Sequence, residues 1–193
     1  SDQTEFSQDT LFYYDMFNSE SAGYNSMRNY FTEVSYQQLD IPSWFYPIPS
    51  NSTVISYQDI YERSYYMPYS ATNPNGYQSS QKTEREHKLL KRAIDFIAAE
   101  VPQNLNIDYD DDGYVDNVVF NVRGGTTAWA TLLWPHRWVL YSEDAYINGK
   151  QVWDYNFQLE ERLNENGNGT LSHEMFHSLS AADLYHYSTG PYT

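Results

Sequence analysis

The chain has 193 residues, 26 acidic against 11 basic side chains and a formal net charge of −15. A polyanion of this kind does not seek nucleic acid or an anionic lipid surface. No run of about twenty apolar residues is present, so no membrane-spanning segment is expected, and the lack of cysteine excludes disulfides and thiolate metal sites. The length suits a single domain over residues 1–193, with a core that needs no staple. The opening Ser1-Asp2-Gln3 reads as the start of a mature or trimmed chain, and a monomer is expected.

Residues 1–10 are polar and are expected to be disordered. Leu11 to Phe17 is aromatic and apolar and should pack on the domain. Asn25 or Ser26 can cap a short helix running to about Val34, with Met27, Tyr30, Phe31 and Val34 on one face. Tyr36 to Ile48 is rich in aromatics and interrupted by Pro42 and Pro47, which predicts one or two edge strands. Residues 50–81 read as ordered loops with a helical turn near Tyr57–Arg63 and turns at Pro68, Pro74 and Gly76. Their tyrosines are read as packing the loops on the domain rather than lining a groove. A helix is expected from Thr83 to Glu100. Thr83-Glu84-Arg85-Glu86 has the form of a capping box. Leu90, Ala93, Ile94, Ile97 and Val101 make an apolar stripe, Pro102 ends the helix, and its charged residues should be solvated.

Asp108, Asp110 and Asp112 stand at positions 1, 3 and 5 of an acidic loop, with Gly113 at 6 and Asp116 at 9. This is the start of a calcium loop, in which alternate carboxylates converge on a hard cation and Tyr114 offers its backbone carbonyl. Position 12 is Val119 rather than Glu, so the loop is no complete EF-hand; it leads into a strand over Asn117–Val122. Four carboxylates packed this closely repel without a cation, and a structural calcium is expected over a merely solvated acidic turn.

Gly124 to Thr127 lacks the Lys-Ser/Thr pair of a phosphate cradle and reads as a loop. Leu132-Leu133-Trp134 and Trp138 to Tyr141 are expected to form strands, with His136 between them as a hydrogen-bonded structural residue. Asn148-Gly149 marks a hairpin turn, with Gln151 to Leu159 as the returning strand.

The stretch His173-Glu174-Met175-Phe176-His177 follows a Gly/Asn-rich run, Asn164 to Gly169, with Thr170 as the expected N-cap. Residues four apart share a helix face. His173 and His177 can therefore direct both imidazoles at one ion about 2.0–2.1 Å away. Glu174, a third of a turn round, is placed to take a proton from a water beside that ion. His-Glu-x-x-His is the zinc-protease pattern. Catalytic zinc takes three protein ligands. In the extended pattern H-E-x-x-H-x-x-G-x-x-H, where Asp can replace the last His, the eleventh position is Asp183. The eighth, normally glycine, is Ser180, whose left-handed backbone would cost about 1–2 kcal/mol. His186 is the rival third ligand.

His173 to Tyr185 resembles the active-site segment of the immune inhibitor A family of secreted bacterial zinc metallopeptidases. Asn25 to Tyr36 resembles that family's N-terminal helix leading into its first strand, Asp108 to Asn117 its acidic loop, and Trp134-Pro135-His136 its Trp-Pro-His segment. Gln37 and Ser180 stand where the family carries glycine. The resemblance implies an α+β, zincin/metzincin-like domain: a twisted mixed β-sheet, a backing helix at 83–101 and an active-site helix at about 171–180. It further implies secretion or a cell-surface location, zinc held by His173, His177 and Asp183, stabilising calcium, Glu174 as general base, and protein or peptide substrates. Tyr185 and His186 are candidates for stabilising the oxyanion. The family's Met-turn is not found between Tyr185 and Thr193, so the C-terminal part of the domain is expected to be missing. The competing expectation is a non-catalytic, calcium-stabilised module that binds protein or glycan.

Overall fold

A computed structural model describes residues 5–50, 52–125 and 131–183. Helix α1 (Thr10–Asn18) begins where Asp9 accepts a 2.8 Å bond from the Phe12 N–H, and it buries Tyr13, Met16 and Phe17. Residues 5–9, expected to be disordered, are held: Ser7 N–H donates to Glu160 Oε1 at 2.6 Å, and Phe6 packs edge-on against Tyr13. Ser26 caps α2 (Met27–Val34) by accepting from Asn29 N–H at 3.0 Å. Met27 and Phe31 are buried, but Val34 is exposed and leaves the expected face.

Beyond α2 the structure departs from expectation. Tyr36 N–H bonds Glu33 O and Gln37 N–H bonds Thr32 O, a pair that reverses the chain, and both residues are left-handed at φ 55° and 65°. No strand forms over 36–48. Pro42 and Pro47 supply no N–H to a ladder, and the segment runs on as irregular chain. The helical turn of the next stretch lies at Arg63–Tyr66, at the end of the expected window.

Helix α3 spans Lys82–Ile97, after a tight turn Ser79–Gln81 in which Gln78 and Gln81 form the capping box. Thr83 is therefore not the cap. Arg85, Glu86 and His87 are buried, not solvated, because the helix is rolled so that its first turns also face the protein. Leu90 and Ile94 pack on the sheets as the stripe requires.

Two small mixed sheets follow. In one, β2 (Val118–Val122) pairs in parallel with β6 (Asp154–Leu159), whose other edge takes β3 (His136–Val139) antiparallel. In the other, β1 (Tyr114–Val115) pairs in parallel with β5 (Lys150–Val152), and β4 (Tyr146–Ile147) pairs antiparallel with β5. Asn148 (φ 50°) and Gly149 (φ 80°) make the tight turn between β4 and β5, the two positive φ values that a two-residue hairpin needs. The single returning strand expected at 151–159 breaks at Trp153 into β5 and β6. Leu132 and Leu133 form no strand but plug the core as part of a turn.

The alternation of β6 sets the two layers. Tyr155, Phe157 and Leu159 point to the α3 side and join Leu90 and Ile94 in one cluster. Asn156 points to the other side and reaches α5 through Ser178 Oγ at 3.2 Å. A second apolar cluster joins α1, α2, α4 (Glu160–Asn166) and α5 (Gly169–Ser178) through Tyr13, Phe17, Met27, Phe31, Leu163, Leu171 and Met175. Among the described residues the fold is mixed α+β with five α-helices, and no helix is long and apolar enough to cross a membrane.

Candidate metal centre

Only Gly167 and Asn168 separate α4 from α5; Asn164 to Asn166, expected in a loop, end α4. The N-cap is Asn168 rather than Thr170, with Ser172 N–H bonded to Asn168 O at 2.8 Å. Burial of Leu171 and Met175 in the helical cluster fixes the roll of α5. Its other face then carries His173 and His177, with side chains 45% and 23% exposed.

The helix ends in a Schellman motif. Ser180 N–H bonds His177 O at 3.0 Å and Ala181 N–H bonds Phe176 O at 2.9 Å. This needs a left-handed residue after the cap, and Ser180 takes it at φ 68°. The turn sends the chain back over the last helical turn and delivers Asp183 to the histidines. Ser180→Gly removes a strain of about 1–2 kcal/mol and returns about 0.4–1 kcal/mol as unfolded-state entropy. The expected net gain of about 0.5–1 kcal/mol would raise Tm by about 1–4 °C in a calorimetric melt.

Three donor atoms meet at this point. His173 Nε2 and His177 Nε2 are 3.2 Å apart, and Asp183 Oδ1 lies 3.4 Å from the first and 3.3 Å from the second. Tetrahedral ligands on bonds of about 2.0–2.1 Å are themselves about 3.3–3.4 Å apart. His177 Nδ1 is 2.9 Å from the Ala181 carbonyl, which only accepts. In the neutral ring the proton therefore sits on Nδ1, and the Nε2 lone pair faces the centre. Asp183 Oδ1 is buried without a hydrogen-bond partner among the described residues, a costly state for a carboxylate oxygen. Donor type, spacing and this orphaned oxygen all fit a tetrahedral divalent cation. Tyr185 and His186 lie outside the described residues.

Glu174 sits beside the trio, 7% exposed. Burial is the main influence on its carboxyl and raises its pKa; His173, His177 and His136 oppose this. The backbone of Arg137, on β3, adds to that opposition. Ser178 Oγ accepts from Asn117 Nδ2 and Asn156 Nδ2, at 3.0 and 3.2 Å, tying the end of α5 to the sheet.

In the acidic loop, the carboxylates of Asp108, Asp110 and Asp116 come together. Asp112 turns its own carboxylate to the Tyr114 N–H at 2.8 Å, and Tyr114 lies in β1. Asp108 accepts from the N–H groups of Asp112 and Gly113, both at 3.0 Å, and from Lys150 Nζ at 2.5 Å. The Lys150 ammonium is the leading cause that holds the Asp108 pKa low. Asp116 is pushed up, first by burial and then by the charges of Asp110, Asp108 and Asp112.

Comparison of the chain with protein-family models and with curated proteins finds no match. A cavity of about 690 Å³ lies between α3, β2 and residues 43–66, and none of the three donor residues lines it. The polar contacts that sequence reading missed are those of Glu86, read as a capping residue, with His136 and Tyr155. The Trp134-Pro135-His136 segment was the one signal that pointed towards them.

Proposed function

We propose that the chain is a zinc-dependent endopeptidase of zincin-like fold. The observation that carries this reading is the near-equilateral triangle of His173 Nε2, His177 Nε2 and Asp183 Oδ1, with sides of 3.2–3.4 Å and Glu174 one residue from the first corner. These three residues hold the metal, and nitrogen and carboxylate donors in this arrangement suit zinc. Bound zinc supplies a Lewis acid that brings the pKa of a neighbouring water towards about 7. Glu174 takes the proton of the attacking water and passes it to the departing amine.

The substrate backbone has a natural seat at β3, an edge strand with no partner on its outer side among the described residues. Protein and peptide chains are the substrates this geometry admits. Export to the extracellular space rests on the family resemblance of the motifs. Metal analysis of the purified chain tests the reading: about one zinc per chain, with protein hydrolysis lost on chelation, is expected.

The convergence of Asp108, Asp110 and Asp116 supports a structural calcium, with Asp112 and the Tyr114 carbonyl completing its shell. At a hundredfold excess of calcium over Kd the folded state gains about 2.7 kcal/mol. With zinc in excess, a calcium-selective chelator should lower Tm by about 5–10 °C. An unchanged midpoint would remove calcium from the account. A second reading, a calcium-steadied protein- or glycan-binding module, draws on the exposed rings of Trp134, Trp138, Tyr141 and Tyr146. Calcium without zinc in the metal analysis would favour it.

A further inference from the structure

The chemistry above gives no task to the knot of polar side chains under the last turn of α5. Ser178 Oγ accepts from Asn117 Nδ2 at 3.0 Å and from Asn156 Nδ2 at 3.2 Å. Asn117 Nδ2 also donates to Asp154 Oδ2 at 3.0 Å, and Asn156 Nδ2 donates to Asn117 Oδ1 at 3.1 Å. The Asp154 carboxylate, paired with Arg137 Nε at 2.5 Å, only accepts. This sets the Asn117 amide with its nitrogen towards Asp154 and Ser178, and its oxygen then meets the nitrogen of Asn156. The N–H groups of both amides find acceptors, and both lone pairs of Ser178 Oγ are filled. Asn156 is fully buried.

Three elements meet in this knot. Asn117 leads into β2, Asp154 and Asn156 belong to β6, and Ser178 ends α5. Burial of Leu171 and Met175 fixes the roll of α5, but apolar burial has no direction and permits sliding along the sheet. Hydrogen bonds at 3.0 and 3.2 Å do not. Ser178 follows His177 directly, so about 100° of helix separates a side chain bonded to the sheet from one that faces the donor triangle. Two residues further on, Ser180 reverses the chain towards Asp183. His177 and Asp183 therefore hang from one anchored residue, on either side of it.

We infer that Ser178, held by Asn117 and Asn156, is a positioning residue for the metal centre: the knot fixes the end of α5 so that His177 and Asp183 stand in place before an ion arrives. This role rests on the zinc reading of the donor triangle, but not on peptide hydrolysis. Donor groups must be held within about 0.5 Å of the binding geometry. Groups that orient metal ligands are worth about 10–100-fold in affinity. Without the knot, part of the binding free energy goes into ordering the last turn of α5 and the reversal after it. None of the knot's side chains belongs to the donor triangle. Its loss therefore shows as weaker zinc binding, with the ligand set unchanged.

The test uses the full chain and the variants Ser178→Ala, Ser178→Thr, Asn117→Ala and the double variant Ser178→Ala with Asn117→Ala. Zinc affinity is read by competition with a chromophoric chelator, and the melting midpoint of each zinc-free protein is recorded. Ser178→Ala is expected to weaken zinc about tenfold. Its zinc-free midpoint should move by no more than about 4 °C, since alanine suits the helix. Ser178→Thr, which keeps the hydroxyl, should restore tight binding. Asn117→Ala should also weaken zinc, and it serves if Ser178→Ala does not fold. In the double variant the second change should cost little more, because both break the same knot. Equal zinc affinity in all the proteins, or no recovery with threonine, overturns the positioning role. If zinc affinities follow the expected order but no peptide is cut, the hydrolase reading fails and the positioning role stands. If the unmodified chain binds no zinc, both are lost.

Discussion

Glu174→Gln should leave about one zinc per chain and lower kcat by about 10²–10⁴-fold, the range that a positioned general base supplies. The amide has nearly the same shape as the carboxyl, so α5 keeps its packing. What is lost is the ability to accept a proton. Glu174 is 7% exposed and adjoins both histidines in space, yet the triangle of donor atoms is made of His173, His177 and Asp183 without it. Metal content and turnover should therefore separate in this variant. The measurement is zinc by elemental analysis together with peptide hydrolysis. A Glu174→Gln protein that cuts at the rate of the unmodified chain would remove Glu174 from the mechanism.

Asp183→Ala should do the reverse and act on the metal first. Asp183 Oδ1 completes the triangle at 3.3 and 3.4 Å from the two imidazole nitrogens. Losing a group that merely orients a metal ligand already costs about 10–100-fold in affinity. Losing a ligand should cost at least about 100-fold, with hydrolysis falling in step at limiting zinc. The result also decides between Asp183 and His186. If Asp183→Ala keeps tight zinc while His186→Ala loses it, the third ligand is His186. The helix itself should survive, because its end is held by Ser180 N–H and Ala181 N–H on the carbonyls of His177 and Phe176, not by the Asp183 side chain.

The trio could be read before any coordinates because it is a local object. His173 and His177 share a helix face by spacing alone. The eleven residues from His173 to Asp183 contain one helical turn and one reversal. The departure noted at Ser180 proved to be real: the residue adopts the left-handed conformation without being glycine. Gln37 tells the same story, at φ 65°. The acidic loop was also legible by position, but only in part. Spacing brought Asp108, Asp110 and Asp116 together, whereas Asp112 chose the Tyr114 N–H, and spacing says nothing of Lys150 arriving from another strand.

Where the reading failed, a local preference lost to a contact distant in sequence. Aromatic content suggested strands at 36–48, but the prolines supply no N–H donors and the chain found its packing without a ladder. Thr83 to Glu86 had the form of a capping box, but Glu86 bonds Tyr155 and His136, 69 and 50 residues away.

From its sequence alone this protein has its metal-ligand candidates, the carboxylate beside them and the turn that returns Asp183, since each depends on backbone geometry over fewer than a dozen residues. Tertiary structure alone decided that Glu86, His136 and Tyr155 meet behind the sheet and that Glu174, on α5, is buried on its other side. Those contacts exist because α3 and α5 pack on opposite faces of β6, and no spacing along the chain encodes which faces those are.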